Sequence, residues 1–215
     1  MKPSLNFILM ADVIGSRKSD QNELIQEFRK VTDNTNASCH RHFLSPITIT
    51  LGDEFQAVAK NLLSAITIIL NLEENIIALN GEFHLRYVLL EGKIETPINP
   101  AIAYGMLGSG LTKARETLTG MKKNKSRFHV ILQDKALENA LQNAFIALQG
   151  IIDDWRPDKD YYIVAKFLQN RDYKEVALEL NKERSLIWKR EKGLKLEEFF
   201  ALKKVINYLG DNKDV

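Results

Sequence analysis

The chain is poor in cysteine and has no long apolar run. Cys39 is the single cysteine among 215 residues, so no disulfide can form within the chain. A membrane-spanning helix needs about 18 or more consecutive apolar residues, and neither such a segment nor a signal-peptide pattern is visible. We therefore expect a cytoplasmic protein that is stabilised by its own core and has no membrane partner.

An excess of charge of one sign is missing as well. The 30 Lys and Arg residues nearly balance the 28 Asp and Glu residues, which leaves a formal net charge of +2. Any basic surface for nucleic acid must therefore be local. A hydrophobic fraction of 45% is typical of a globular protein, and the chain is long enough to bury a core.

Strand-like and helix-like patterns alternate over the first 100 residues. Asn6 to Val13 is a short apolar run that predicts a buried strand, and residues 47–59 predict a hairpin around Gly52 and Asp53. Helical spacing occupies 20–35 and 60–79, and strand character returns at 82–96. This βαββαβ order predicts a ferredoxin-like α+β fold with its helices on one face of an antiparallel sheet.

The rest of the chain changes character near residue 155. Residues 98–120 predict a loop entering a helix, Arg127 to Asp134 a further strand, and the following segment another helix. From Tyr161 to Leu209 the periodicity is helical only. We predict an α+β domain over 1–152 and a small all-α domain over 157–215.

Two acids follow predicted strands and are expected to lie close together. Asp12 ends the first strand and Asp53 lies at the predicted hairpin tip. Two neighbouring carboxylates repel each other unless a proton or cation intervenes, and their hard oxygen atoms suit Mg²⁺ or Mn²⁺ with phosphate oxygens. The alternative is that both are ordinary turn and cap residues.

The loop after the first strand has features of a phosphate site. Ile14, Gly15, Ser16 and Arg17 directly precede a predicted helix. Free N–H groups at such a turn and helix N-terminus attract phosphate, and Arg17 adds a bidentate donor. The segment predicts nucleotide binding beside the acids.

The helical tail contains a pattern similar to a helix-turn-helix. Ala177 stands where two helices would pack, Asn181 at a turn position that tolerates a left-handed backbone, and Ile187 as the second helix's anchor. The second helix is locally basic. We predict DNA binding there, with phosphate attraction and contacts in the major groove, by Arg184, Ser185, Trp188, Lys189, Arg190 and Lys192.

Two simpler interpretations of this helix stay open. A run of charge on a helix is more often a solvated face than a recognition surface. Trp188 is also a candidate core or dimer contact, since large aromatic side chains usually bury most of their area.

Four segments together resemble a known family. "LNFILMADVIGSRK", "SPITITLGDEFQAV", "FHLRYVLLEGKIET" and "GMLGSGLTKARETL" follow one another in this order. The chain resembles the SatD family over nearly its whole length. Its first 120 or so residues are more remotely similar to the class III nucleotide cyclases.

The cyclase resemblance implies a set of ligands. Asp12 and Asp53 match the two metal-binding aspartates, with the Val13 carbonyl and the loop of Ile14 to Arg17 facing metal and triphosphate. If chemistry occurs at this site, Arg17, Arg86 or Arg115 would offset the developing charge. Arg86 lies inside a predicted strand, so we expect a structural role for it.

Departures from the cyclase pattern put cyclisation in doubt. Ile49 replaces the lysine that selects the purine, and Thr112 and Glu116 stand in place of the transition-state Asn and Arg. Arg115 is one position from the expected arginine, and one residue rotates a helix by about 100°.

These features lead to one hypothesis and two alternatives. We expect a homodimeric regulator that binds Mg²⁺ or Mn²⁺ and a nucleotide in its first domain and DNA in its second, with a role in transcription regulation. If it is an enzyme, it is a metal-dependent cyclase or related phosphoryl-transfer enzyme. In the first alternative the first domain only dimerises, and in the second the tail binds a protein.

Overall fold

A computed structural model describes residues 5–15, 21–121 and 125–211 of the protein. Its strands are β1 (Leu5–Val13), β2 (Phe43–Ile49), β3 (Glu54–Ala59), β4 (Leu85–Lys93) and β5 (Phe128–Ile131). Its α-helices are α1 (Gln21–Ser38), α2 (Leu62–Ala78), α3 (Ser109–Gly120), α4 (Lys135–Ile152), α5 (Tyr161–Gln169), α6 (Tyr173–Glu179), α7 (Arg184–Gly193) and α8 (Leu196–Asp211).

The strands form one five-stranded sheet in the order β2-β3-β1-β4-β5. Strands β1 to β4 pair with one another in antiparallel fashion, and β5 is an edge strand that runs parallel to β4. The β1-α1-β2-β3-α2-β4 order is the predicted βαββαβ arrangement, so the predicted α+β fold class is confirmed. The hairpin between β2 and β3 is confirmed too.

Both faces of the central strand β1 are buried. Leu9 and Ala11 belong to the larger hydrophobic cluster, and Ile8 and Met10 belong to a second cluster on the other face. Helices α1 and α2 of the βαββαβ unit both pack in the larger cluster, as predicted, and the second cluster is closed by the later helix α3 and by the segment 94–108. The reason is visible in β1, because a strand that is apolar at successive positions must be covered on both sides.

A buried polar network ties α2, β4, β5 and α4 together on the larger face. The Arg127 guanidinium donates to both carboxylate oxygens of Glu73 at 2.9 and 2.8 Å, and to Asp153 at 2.9 Å. The Tyr87 hydroxyl donates to Glu73 at 2.7 Å. Burial acts to lower the pKa of Arg127, but the charges of Glu73 and Asp153 and the hydrogen bonds to Glu73 raise that pKa above its ordinary value.

The C-terminal helices continue the same hydrophobic cluster. Phe167, Phe199 and Ile206 belong to the cluster that also contains the sheet residues Leu9 and Tyr87. Helix α8 lies against α2 and α4. The Trp155 indole donates to the carbonyl of Leu194 at 2.9 Å. The division at 152–157 stays a prediction, although the two segments share one core.

No helix within residues 5–15, 21–121 and 125–211 combines the length and apolar character that crossing a bilayer requires.

Candidate functional site

Asp12 forms a buried ion pair with Arg86 at the end of the sheet. The two residues lie directly opposite each other on β1 and β4. Nε and Nη2 of Arg86 donate to the two carboxylate oxygens of Asp12 at 2.9 and 3.2 Å. Both residues are buried. A buried carboxylate is costly unless it is paired, and this fork geometry supplies the pairing.

Asp53 lies at the same end of the neighbouring strand. It directly precedes β3, and its carbonyl accepts a hydrogen bond from the Val13 N–H at 2.9 Å. Gly52 before it has a φ of +56°, a left-handed conformation that favours glycine. The tight turn that this glycine permits brings the backbone of Asp53 back to the end of β1, whereas the approach of its carboxylate to that of Asp12 stays a prediction.

Glu54 joins the edge to helix α3. It faces Asp12 in the register of β1 and β3, and its Oε1 lies 2.9 Å from Nη1 of Arg115. The Arg115 side chain is 42% exposed, whereas that of Glu54 is 16% exposed. Arg115, which was predicted to meet phosphate, therefore pairs with an acid of its own chain and stays accessible to solvent.

The predicted phosphate loop is only partly described. Ile14 is exposed, and its N–H donates to the His84 carbonyl at 2.9 Å. Gly15 has a φ of +76°, which again favours glycine. Ser16 and Arg17 lie outside the described residues. The phosphate role of this loop stays a prediction.

The glycine-rich segment before α3 is occupied by a carboxylate of the chain itself. Glu95 accepts hydrogen bonds from the Ser109 N–H at 2.9 Å and from its hydroxyl at 2.8 Å. An anion at this position complements the free N–H groups and the positive end of the helix. The segment "GMLGSGL" therefore lets α3 pack against β4, and the Glu95 carboxylate occupies the position at the helix N-terminus that an external anion would take.

A groove opens between α3, the segment 104–108 and the sheet. Its volume is about 460 Å³, within the range of small-molecule sites. Its apolar lining residues are Met10, Tyr104, Met106, Leu107 and Leu111. Arg115 also lines it, which places the Glu54–Arg115 pair beside the groove. The groove and the two ion pairs form one continuous candidate site.

The donor set suits a metal ion that arrives with phosphate. The described residues contain no group of three His, Cys, Asp or Glu side chains able to hold an ion. Mg²⁺ commonly uses one or two carboxylates and takes its other ligands from water and phosphate. Asp12 and Asp53, at the ends of the neighbouring strands β1 and β3, carry carboxylates of this kind.

Sequence reasoning missed the pairing partners of the acids. Arg86 was expected to be structural, and no partner was predicted for Glu54. Strand alternation gives a usable signal, because Asp12, Glu54 and Arg86 stand opposite one another and so share one face. No local pattern indicates that Arg115 reaches Glu54 or that Gln56 lines the groove.

Helices α6 and α7 have the turn that the tail pattern predicts. Asn181 has a φ of +49°, and the Lys182 N–H donates to the Ala177 carbonyl at 2.9 Å. This bond closes the end of α6 around a left-handed residue. Ala177 and Ile187 are buried. The assignment as a DNA-binding helix-turn-helix stays a prediction.

The predicted DNA-contacting residues fall into two groups. Arg184, Ser185, Trp188 and Lys189 are exposed and lie within an arc of about 140° on α7. The core alternative for Trp188 is wrong, since 47% of it is exposed and it is not a core residue. The dimer alternative stays open.

The other two residues have acidic partners. Arg190 pairs with the buried Asp160. Lys192 lies 2.7 Å from Glu197, and the hydrogen bond and charge of Glu197 raise the pKa of Lys192. These two side chains are therefore less available to DNA phosphates than Arg184 and Lys189.

Several solved structures are similar to this chain. A bacterial light-regulated adenylyl cyclase has 12% sequence identity and a TM-score of 0.47, over 60% of this chain and 77% of that one. The guanylyl cyclase Cya2 has 13% identity and a TM-score of 0.42, over 55% of this chain and 71% of that one. At these values the similarities carry no conclusion about activity.

Comparison with protein families gives a match over most of the chain. The sequence model of the SatD family matches residues 7–209. None of the curated proteins compared with the chain matches it.

Proposed function

This chain belongs to the SatD family, with a match over residues 7–209, and we propose that it is a regulator that binds a nucleotide and a divalent cation where β1 ends and β3 begins. The observation that supports this most is the cluster of paired charges beside a groove. Two carboxylates meet two arginines there, and the groove has room for a base.

The balance of charge at the edge suits a phosphate ligand. A triphosphate brings several negative charges, so it needs both a cation and arginine donors. Arg115 is exposed enough to leave Glu54 for phosphate, because a pair of this exposure is worth only about 1 kcal/mol or less. A charged ligand can therefore displace Glu54 from Arg115.

Asp12, Asp53 and the Val13 carbonyl would hold Mg²⁺ or Mn²⁺ as the cofactor. The bound ion would neutralise phosphate charge. Arg86 would keep Asp12 oriented, because its two hydrogen bonds reach both carboxylate oxygens. In this proposal the chain's own residues position the phosphates, and Ile14, Gly15, Ser16 and Arg17 add loop contacts.

Binding is proposed as the role of this site, ahead of cyclisation. Thr112 and Glu116 line the groove where an amide and a guanidinium would be required by the cyclase pattern. Glu116 cannot supply the positive charge with which that guanidinium would stabilise a reacting phosphate. A ligand-sensing site has no such requirement.

Nucleotide binding is tested by heat stability. ATP or GTP with Mg²⁺ should raise the melting temperature of the wild type, because a ligand that binds only the folded state stabilises it. Asp53→Ala should abolish the shift. Asp33→Ala, on the exposed face of α1, should keep it. An unchanged shift in Asp53→Ala would refute this site.

We further propose that α7 binds DNA, which completes the regulator. The observation in favour is the shared exposed face of Arg184, Ser185, Trp188 and Lys189, anchored from behind by Ile187. Salt bridges to acids in the described chain involve Arg190 and Lys192 but not Arg184 or Lys189. Those two cations are therefore the principal phosphate contacts of the proposal.

Random duplex DNA provides the test of this second role. Binding should weaken steeply between about 50 and 200 mM salt, and loss of Arg184 or Lys189 should reduce the salt slope by about 1. Lys204→Ala on α8 is the control. DNA binding without nucleotide binding would favour the alternative in which the first segment only dimerises.

We propose a homodimer as the working assembly. Large apolar side chains are exposed around the candidate site, with Leu51 60%, Tyr104 64% and Leu107 70% exposed. Sedimentation of the wild type should give twice the chain mass, and Leu51→Glu at the hairpin should shift it toward the monomer. A wild-type monomer at all concentrations would remove this proposal.

A further inference from the structure

The groove beneath α3 contains a nearly buried side chain with an oxygen that has no partner. Gln56 is 7% exposed and its Nε2 donates to the Ala103 carbonyl at 3.0 Å. A carbonyl only accepts, so this bond fixes the orientation of the amide. No described residue donates to Oε1, and every fully buried polar side-chain atom of the described residues has a partner. Oε1 is therefore open to the groove that Gln56 lines.

The groove's other polar groups are mostly acceptors as well. Glu116 lines the groove, is exposed and forms no salt bridge with a described residue. The Thr112 hydroxyl donates to the Gly108 carbonyl at 3.3 Å, which leaves its oxygen as an acceptor. The cationic donor in the lining, Arg115, pairs with Glu54 and is assigned to the phosphates in the proposed function. The lining thus offers acceptors and calls for a ligand rich in donors.

Resting on the nucleotide-binding role proposed above, we infer that this groove takes the base of the nucleotide and selects guanine. Guanine presents two neighbouring donors, the N1–H and the 2-amino group, on one edge. A carboxylate can accept both at once, in the way it accepts a bidentate arginine. Adenine presents only its 6-amino group, and its N1 is an acceptor that would face the acceptors of the groove. Guanine is therefore the better match.

The position of the groove agrees with a nucleotide that spans both features. Gln56 lies opposite Met10 in the sheet register, and Glu54 lies opposite Asp12. Two residues along a strand correspond to about 7 Å on the same face. A ribose can bridge that distance, so a base at Gln56 leaves its phosphates at the Asp12 edge. Met10 and Met106 supply apolar contact for the ring.

Comparison of nucleoside triphosphates tests the choice of base. Affinities of the wild type with Mg²⁺ are measured by calorimetry for GTP, inosine triphosphate, ATP and UTP. GTP should bind about tenfold more tightly than ATP, since one bidentate pair discriminates bases by about that factor or more. Inosine triphosphate lacks the 2-amino group and should fall between them.

Variants assign the preference to named side chains. Glu116→Gln should lower the ratio of GTP to ATP affinity at least about threefold, because the amide offers one acceptor where the carboxylate offers two. Glu198→Gln on α8 has the same charge change and should leave the ratio unaltered. Gln56→Met should lower the ratio too. Gln56→Met also loses the hydrogen bond to Ala103. If that variant does not fold, the result for Glu116→Gln tests the base preference.

The possible outcomes distinguish an error in the choice of base from an error in the proposed nucleotide site. Equal affinities for all four nucleotides, or a preference for ATP, would overturn guanine selection and leave the nucleotide site standing. An unchanged ratio in Glu116→Gln would overturn the assigned contact. Absence of binding to any nucleotide would overturn both this inference and the proposed function.

Discussion

At the scale of single residues, two arginines form ion pairs with the acids where β1 ends and β3 begins. Asp12 is buried, so an unpaired charge there would cost several kcal/mol of desolvation. Arg86 offsets that cost with two hydrogen bonds. Glu54 and Arg115 are more exposed, so their pair is weaker and easier to exchange for a ligand. This end of the sheet thus combines one strong ion pair, Asp12–Arg86, with one that a ligand can replace, Glu54–Arg115.

Replacing Arg86 by methionine tests the buried pair. Arg86→Met should lower the free energy of unfolding by about 3 kcal/mol, because the Asp12 carboxylate loses its buried cation. Mn²⁺ should then raise the melting temperature of the variant more than that of the wild type, since the ion replaces the missing charge. Arg29→Met on the surface of α1 is the control for both measurements. Equal responses to Mn²⁺ would speak against metal at Asp12.

The buried network around Arg127 gives a second prediction at this scale. Glu73→Ala removes the main partner of a guanidinium that is 3% exposed. The free energy of unfolding from urea titration should fall by about 3–5 kcal/mol. Glu198→Ala should change it by about 0.5 kcal/mol or less. A loss below 1 kcal/mol in Glu73→Ala would show that water reaches Arg127.

At the scale of elements, α3 depends on close contact with β4. A Cβ placed on Gly110 would lie 2.7 Å from the Lys93 carbonyl oxygen and 2.8 Å from Ile8 Cδ1. Only glycine lets the start of the helix approach the strand so closely. This contact positions Arg115 above Glu54, so it links packing to the candidate site.

Two glycines of the same helix form a matched test. Gly110→Ala should lower the free energy of unfolding by about 1–3 kcal/mol through overpacking, and should weaken nucleotide binding. A Cβ added at Gly120 has no atom within 4 Å. Gly120→Ala should therefore raise the free energy of unfolding by about 0.5–1 kcal/mol, since alanine favours a helix. Both are measured by urea titration. Equal effects at the two positions would contradict the close approach of α3.

Sequence pattern was most informative for elements with a strong local signal. The left-handed turn at Asn181 and the glycine turn before Asp53 were both predicted, because asparagine and glycine tolerate positive φ. The apolar run of β1 predicted a buried strand. It did not reveal that α3 would close the second face, because the partner of an apolar face is not encoded locally.

At the scale of the whole molecule, the C-terminal helices are part of one core. Helices α2 and α4 bury apolar side chains against α8, which lies far along the chain. Ion pairs such as Lys203–Glu74 and Lys195–Asp154 join the same segments. Removal of these helices would expose a large apolar surface to water.

A chain ending at Ile152 tests this shared core. We expect it to lack a cooperative thermal transition and to bind a hydrophobic dye, because the faces of α2 and α4 lose their cover. The full chain is the reference, measured by circular dichroism and fluorescence. A sharp transition in the shortened chain would instead support two independently folding domains.

The sequence by itself determined the order of strands and helices, the turns at Gly52 and Asn181, and the edge at which Asp12 and Asp53 lie. These features depend on hydrophobic periodicity and on backbone conformations that few residues adopt. Tertiary structure alone decided that Arg86 pairs with Asp12, that Arg115 reaches Glu54, and that Gln56 lines a groove. Such contacts join residues up to 74 positions apart, so no local pattern encodes them, and it is burial that makes the Asp12 carboxylate require its partner.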